Sequence, residues 1–559
     1  MRDDVSAMAG LPAPGMTLVE TQSSAHRRVF RSALSAPAAS PDILERLDTW
    51  ADRTPDRVLL SEPAPAGRRA LRYAEAAPLS QQLAALLAER YGLRIGDRVA
   101  SLAPAGVDAL ALKLACLRGG FVHVALPPYP FRPGAPAQAA SPYLAAARPK
   151  AILAPSDLAA LTAEARNATR PVLEVAHAAS DWAAVFFTSG STGAPKGVPI
   201  TRAMISSNQA AIASAWPFVA DPPITIVDWL PWHHVFGGLD NIFKVVWDGG
   251  TLHVDSAPSP ATIAASARLM ADVGPSMHIG VPLGVKLLLD SLENDSATAR
   301  AAVRNLRALF FAGAGIEAAL WARLRRFRDA HGAFQILSGY GATEAASTIC
   351  LSGAPLEEPG ELGCPLPGHE VALTEREERT ELSVRGPNVA PGYLTENGLV
   401  ALPVDEEGFY RTGDAATVRL RADGRATLAF DGRLAEDFKL SSGVKVRAGA
   451  LRAALLAHCA QFAEEIVVGG ENRDELVAVV FAGRRPGAAE EIARALAAWN
   501  LAHPASSTRI ARFTLAELAP DRGRGEVSDK GQIVRSVFLR NHAALFEALA
   551  GGEGTTPGA

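Results

Sequence analysis

The stretch TSGSTGAPKG, from Thr188 to Gly197, packs three glycines, four hydroxyl side chains and one lysine into ten residues. The apolar run AAVFF precedes it, so a strand delivers the chain into this loop. Gly190 and Gly193 let the backbone curl until successive N–H groups point inward, and such a nest binds anions. The hydroxyls of Thr188, Ser189, Ser191 and Thr192 add donors, and Lys196 adds a point charge; phosphate is the guest that suits the set. The order is not that of a Walker A loop, where the lysine is followed by a Ser or Thr that holds magnesium. Here Lys196 lies between Pro195 and Gly197. The same composition also makes an ordinary flexible surface turn, so the motifs around it must decide.

The surrounding elements are those of a layered fold. LSQQLAALLAERYGL and VDALALKLACLRGG carry apolar residues at helical spacing, while DRVASLAP, FVHVALPP and PKAILAP read as short buried strands. The same rhythm continues through ITIVDWLP, GGTLHVD, RALFFAGA and FQILSGYG, each run ending in a turn. Alternating helices and strands of this kind predict α/β layers with a mostly parallel sheet. Past about residue 360 the pattern changes to short strands joined by Gly and Asp turns, which predicts a small barrel or meander. Beyond Arg433 helices return around EIVVGG and ELVAVVFAG, giving a compact α+β unit with its boundary near Asp431, Gly432 and Arg433. The Ala/Ser/Pro-rich start, residues 1–44, is expected to be partly ordered, and residues 551–559 to be a disordered tail.

Bulk properties narrow the function classes. At 559 residues the chain needs no staples. A formal net charge of -4 without a basic block argues against nucleic-acid binding. The four cysteines are far apart and form no CxxC pair, so a disulfide framework or zinc site is not expected. The N-terminus shows no signal-peptide pattern and no stretch reaches eighteen apolar residues, so a cytoplasmic protein without a membrane span is expected.

Further motifs follow the loop in order: LSGYGATEA, YRTGD (410–414), DGRLAEDFK (431–439) and SDKGQIVR (528–535). In sequence and spacing these, with TSGSTGAPKGV, resemble the adenylate-forming enzymes, the group of acyl-CoA synthetases, peptide-synthetase adenylation domains and luciferases. The resemblance runs from about residue 45 to 545. It implies a large N-terminal domain of two layered α/β subdomains and a small β-barrel (45–432), with a smaller mobile C-terminal α+β domain (433–550). It also implies the chemistry. A carboxylate attacks the α-phosphate of ATP, pyrophosphate leaves, and a thiol then takes the acyl group from the acyl-adenylate.

Residue by residue, the resemblance assigns Thr188, Ser189, Gly190, Ser191, Thr192, Gly193 and Lys196 to the β- and γ-phosphates. Gly339, Tyr340 and Gly341 lie against adenine, Thr343 contacts the α-phosphate and Glu344 holds magnesium, an ion that prefers hard oxygen ligands. On residue types alone, GYGATE also reads as a tight turn leading to a helix cap. The turn Gly313, Ala314, Gly315 resembles the one that packs on adenine. Asp414 and Arg433 would bind ribose, since a carboxylate can accept from both of its hydroxyls. Lys530 would reach across the cleft to the attacking carboxylate and the α-phosphate. His234, in LPWHHVFGG, matches the mouth of the acid pocket. Adjacent histidines point apart on a strand, so His233 reads as packed and structural and the pair as no metal site.

A lysine on a small C-terminal unit implies motion between two productive states. Gly443 would admit a pantetheine arm, with Lys439 nearby. The chain departs from the family pattern at the hinge, where Ala435 replaces the usual Asp or Lys, and the run from Arg433 to Gly443 is one residue longer. WLPWHHVFGG, GGTLHVD, DGRLAEDFKLSSG and SDKGQIVRS resemble the feruloyl-CoA synthetase branch, which implies an aromatic or cinnamate-type acid. The expected co-substrates are ATP with Mg2+, a small carboxylic acid and coenzyme A. Competing readings are a fatty-acid CoA ligase, an adenylating enzyme that loads a carrier protein in trans, and a non-catalytic ATP-binding regulator. Retention of Lys196, Glu344, Asp414, Arg433 and Lys530 argues against the last. Oligomeric state is not legible.

Overall fold

The computed structural model describes residues 15–38, 40–127, 137–167, 169–189, 195–255, 259–376, 379–459, 461–482, 487–517, 519–527 and 533–557. Three units of the expected kind are present: two layered α/β bodies with an antiparallel extension, and a smaller α+β unit at the C-terminal end.

The first body is built on a βαβ unit. The strand Arg98–Ser101, the helix Val107–Gly119 and the strand Val122–Ala125 follow one another, and the two strands pair in parallel. The helix is apolar nearly all round and is correspondingly buried, including Lys113. Every residue of Val122–Ala125 is buried, as a strand covered on both faces must be. Among the described residues this sheet has seven strands. Its order is Gly398–Val400, Tyr393–Thr395, Pro195–Thr201, Trp182–Ser189, Val122–Ala125, Arg98–Ser101 and Ala151–Leu153. The two strands at one edge come from residues 393–400, far later in the chain than the rest. Thr225–Asp228, Thr251–Val254, Val58–Ala64 and Gly67–Arg72 form a four-stranded sheet, and the Ser276 amide, just before the strand Met277–Gly280, donates to the Thr225 carbonyl at 2.9 Å.

The second body centres on the parallel strands Met277–Gly280, Ala308–Ala312 and Gln335–Tyr340. Helices Pro282–Leu292 and Ala318–His331 share a core through Leu288, Leu292, Leu324 and Phe327. This parallel wing runs on through Cys350–Leu351 and Glu361–Pro365 into the antiparallel strands predicted past residue 360. Together they form an eleven-stranded sheet among the described residues.

Both termini carry ordered pairing, and the tail differs from the disorder expected. Residues Leu18–Ser23 and Arg27–Ser32 form a ribbon at the edge of the large sheet, with Phe30 paired to Val371. The folded body therefore begins before residue 45. Val29 and Phe30 are almost fully buried there, an apolar pair whose Ala/Ser/Pro-rich flanks obscured it in the sequence. At the other end, Thr555 exchanges two backbone hydrogen bonds with Phe513 (2.9 and 2.8 Å), so the tail, as far as 557, is pinned to a strand.

The C-terminal unit pairs Glu465–Gly469, Leu476–Phe481 and Ile510–Leu515 under the helices Ala448–His458 and Ala488–Ala502. Buried Arg379 spans the boundary, holding Asp437 at 2.6 Å and Asp431 at 3.2 Å. All four cysteines are buried and free. Among the described residues no helix is long and apolar enough to cross a membrane.

Candidate active site

The hairpin Trp182–Ser189/Pro195–Thr201 frames the glycine-rich loop. Its register pairs Thr188 with Lys196 and Ser189 with Pro195. Gly190, Ser191, Thr192 and Gly193 lie outside the described residues, as does Lys530. Gly197 is required by close packing: a Cβ there would come within 2.9 Å of Val185 and 3.3 Å of Leu394. The small residue thus lets the strand Tyr393–Thr395 close onto the hairpin beside Lys196, with Leu394 opposite Gly197.

The GYGATE segment ends the parallel strand Gln335–Tyr340. Ala312 pairs with Gly339, which sets the turn Gly313–Ala314–Gly315 beside Tyr340 at the carboxyl ends of the strands. That is where open α/β sheets bind ligands. A Cβ on Gly341 would run into the Ser347 carbonyl oxygen, so the chain can double back only with glycine there. The single turn Thr343–Ala345 follows, then Ala346 and Ser347 at φ of 49° and 91°. Backbone in this region is strained for residues with a Cβ and persists only where the surroundings enforce it. Buried Asn388 does so, donating to the carbonyls of Ala345 and Thr348 (2.8 Å each), and buried Asn208 donates to Thr348 as well (3.0 Å).

Two hydrogen-bonded arms extend from this turn. In one, the Tyr340 hydroxyl donates to Asp414 Oδ2 at 2.6 Å, and Arg433 Nε lies 3.4 Å from Asp414 Oδ1. The antiparallel pairing of Asp414 with Arg433 fixes that contact. Burial, reinforced by the charge of Asp414, raises the Tyr340 phenol well above its ordinary range, so it remains a donor. In the other arm the Tyr393 hydroxyl donates to Glu344 Oε1 at 2.8 Å and meets the Tyr410 hydroxyl at 3.1 Å. Burial first, and then the Glu344 carboxylate, push both phenols up. Lys196 Nζ lies 5.0 Å from the centre of the Tyr393 ring.

The acid-pocket segment differs from the strand expected. His233 and His234 sit in a turn with their rings 4.3 Å apart, instead of pointing to opposite faces. The chain then enters a π-helical turn, Phe236–Asn241, in which the Gly238 amide donates to the His234 carbonyl at 2.7 Å. Phe236 packs edge-on to Phe310 at 5.8 Å. Asn241 donates to Asp228 (3.1 Å), which also accepts from the Leu230 amide (3.1 Å), so the segment from 228 to 241 is clasped at both ends.

Lys439 and Gly443 stand apart from both arms. Lys439 belongs to a two-stranded hairpin of the C-terminal unit, paired with Lys445, and Gly443 lies in its turn. Sequence reasoning missed Tyr393, Asn208 and Asn388. The string PGYL, a turn opening a strand, was the available signal for Tyr393; the two asparagines carried none.

Among the described residues no cluster of three or more His, Cys, Asp or Glu could hold a metal by itself. Glu344 is a single carboxylate, which fits an ion that takes one or two carboxylates and completes its shell with phosphate oxygens and water, as Mg2+ does. A cavity of about 580 Å3 lies elsewhere, lined by Asp42, Asp48, Arg118, His177, Arg202 and Ser206. Its guanidinium groups are already matched, Arg202 by Asp42 and Arg118 by Asp48, and it includes none of the motif residues.

Comparison with known proteins gives the family. The profile described as AMP-binding enzyme matches residues 47–394. The isonitrile lipopeptide synthase of Streptomyces coeruleorubidus is 30% identical over 426 residues, which cover 70% of this chain but 27% of that protein. The oxalate–CoA ligase of Arabidopsis thaliana is 27% identical over 404 residues, 66% of this chain and 75% of the ligase. ATP-bound MatB from Rhodopseudomonas palustris superposes with a TM-score of 0.71 at 21% identity, covering 90% of this chain and all of that one, a likeness of fold. With the family profile matched over more than half its length, the chain belongs to the AMP-binding enzyme family.

Proposed function

We propose that the protein is an ATP-dependent carboxylic acid–CoA ligase, which makes an acyl-adenylate and then a thioester, releasing pyrophosphate and AMP. The observation that carries this reading is the convergence of two arms on one turn. Tyr340, Asp414 and Arg433 form a sugar-sized hydrogen-bonding edge, and Tyr393, Glu344 and Lys196 form a phosphate- and metal-sized one. In this reading Tyr340 and the turns at Gly313–Gly315 and Gly339–Gly341 hold adenine, and Asp414 with Arg433 holds ribose. Thr343 meets the α-phosphate, and Lys196 with the loop 188–193 meets the departing pyrophosphate. Glu344 would hold Mg2+, which when bound would lower the charge on the phosphates of ATP. Donors placed where charge develops are worth about a hundred- to thousandfold each in rate.

Lys530 supplies the distant ammonium for the adenylation step, and the Lys439–Gly443 hairpin faces the thiol in the second. His234 and Phe236 border the acid. The aromatic packing of Phe236 on Phe310 supports a flat, cinnamate-type acid, in keeping with the motif details that resemble the feruloyl-CoA synthetase branch. The oxalate–CoA ligase relative supports coenzyme A as the acceptor. The synthase relative, of which this chain spans about a quarter, favours a second reading in which a carrier protein takes the acyl group.

Acid-dependent ATP–pyrophosphate exchange, run with benzoates, cinnamates, short diacids and fatty acids, tests the first half-reaction. Exchange with none of them would remove the proposal. AMP and thioester formation with coenzyme A against a carrier protein separates the two acceptors.

A further inference from the structure

Tyr393 touches, with opposite parts of one side chain, the two charged groups assigned above to the triphosphate and its metal. Its strand pairs with the hairpin through Leu394 and Gly197. That register puts Tyr393 and Lys196 on the same face as diagonal neighbours, within reach of an aromatic and a long side chain. The ring carries the Lys196 ammonium on its face at 5.0 Å, a cation–π contact. The hydroxyl at the far end donates to Glu344 Oε1 at 2.8 Å and is itself held by Tyr410 at 3.1 Å. Lys196 and Glu344 have opposite charges, and among the described residues no ion pair joins them directly; Tyr393 contacts both, one with its ring face and the other with its hydroxyl.

We infer that Tyr393 is a positioning residue that keeps Lys196 and Glu344 apart and holds each in place, so that both remain available to Mg·ATP. A direct Lys196–Glu344 ion pair would satisfy both groups internally, and ATP and its metal would then have to break it. The ring blocks that pair, the hydroxyl fixes one carboxylate oxygen, and the ring face offers the ammonium a contact weak enough to yield to phosphate. The inference rests on the proposed nucleotide site for the identity of the ligand and for the roles of Lys196 and Glu344; what it adds is the part played by Tyr393.

The test uses the full chain with Tyr393→Phe and Tyr393→Leu, and calorimetric titration of ATP with Mg2+ and in chelator. Tyr393→Phe keeps the volume and the ring but loses the bond to Glu344. Its affinity for Mg·ATP should fall about tenfold, the range of a hydrogen bond to a charged group, while metal-free ATP binds as in the wild type. Tyr393→Leu removes the spacer, so both affinities should fall. Adding Glu344→Gln to Tyr393→Leu should restore metal-free ATP binding, because Lys196 no longer has a carboxylate to pair with. Thermal melts check that each variant is folded. Wild-type binding with Tyr393→Phe indistinguishable from it overturns the inference alone, as does a double variant that recovers nothing. A wild type that binds no ATP overturns the functional reading and this inference together.

Discussion

Tyr340 and Asp414 are joined by a 2.6 Å hydrogen bond that ties the end of a parallel strand, Gln335–Tyr340, to an antiparallel strand, Tyr410–Leu420, of the same sheet. The bond orients the carboxylate before any sugar reaches it. Tyr340→Phe should therefore raise the KM for ATP about tenfold and leave kcat nearly unchanged, the pattern of a lost ground-state contact. Initial rates of pyrophosphate exchange against ATP concentration give both numbers, and an unaltered KM would show that Asp414 needs no such support.

Lys530 is assigned to one half-reaction only. Lys530→Ala should slow adenylation about a hundred- to thousandfold and leave thioester formation from a supplied acyl-adenylate nearly intact. Rapid-quench assays of the two steps separate the outcomes; equal loss in both would rule out a lysine that serves one state of a moving domain.

The left-handed residues Ala346 and Ser347 depend on Asn388. Asn388→Ala leaves the Ala345 carbonyl, and in part that of Thr348, without its donor in the interior, at about 1–3 kcal/mol for an unmet buried group. The expected result is a lower melting temperature together with weaker ATP binding, because the turn that loses its brace also carries Glu344. Full ATP affinity in a destabilised variant would mean that the turn holds its shape unaided.

Burial raises the Asp228 carboxyl to about 7, against partial relief from the Leu230 amide, Asn241, Trp232 and Lys244. Asp248, also buried near Lys244 and Arg46, is raised to about 7. Between about pH 4, where an unfolded aspartate gives up its proton, and about pH 7, the folded chain keeps protons that the unfolded chain has lost. Each group therefore stabilises the fold at low pH, and that contribution falls as pH rises through this window. Asp228→Asn removes one of the two titrations. Its melting temperature relative to the wild type should climb from pH 5 to pH 8; a difference that is flat with pH would contradict the assignment.

How much of this site could be read from the sequence depended on how local the signal was. Contiguous strings such as TSGSTGAPKG and YRTGD name their residues directly, and the alternation of apolar runs with turns marked the parallel strands. PGYL marks Tyr393 as the start of a strand and no more, because its role arises from register: only the pairing of Leu394 with Gly197, nearly two hundred positions apart, sets it beside Lys196. Asn208 and Asn388 act on the carbonyls of a distant turn, and no pattern around either residue encodes that. The two histidines were misplaced for a related reason. Reading the pair as part of a strand has the rings point apart, whereas the clasp between Asp228 and Asn241 bends the chain into a turn and a π-helix.

The ribbon at the edge of the large sheet ties the beginning of the chain to a point well past its middle: His26 reaches Glu375, 349 positions later. At ribosomal speeds of roughly 5–20 residues per second, the first strands wait on the order of half a minute for their partner to be synthesised. Throughout that interval Val29 and Phe30 are without their final cover, and an unpaired apolar strand is a template for other chains. The nascent chain thus carries an uncovered strand, Arg27–Ser32, through the synthesis of the more than three hundred residues that separate it from its partner.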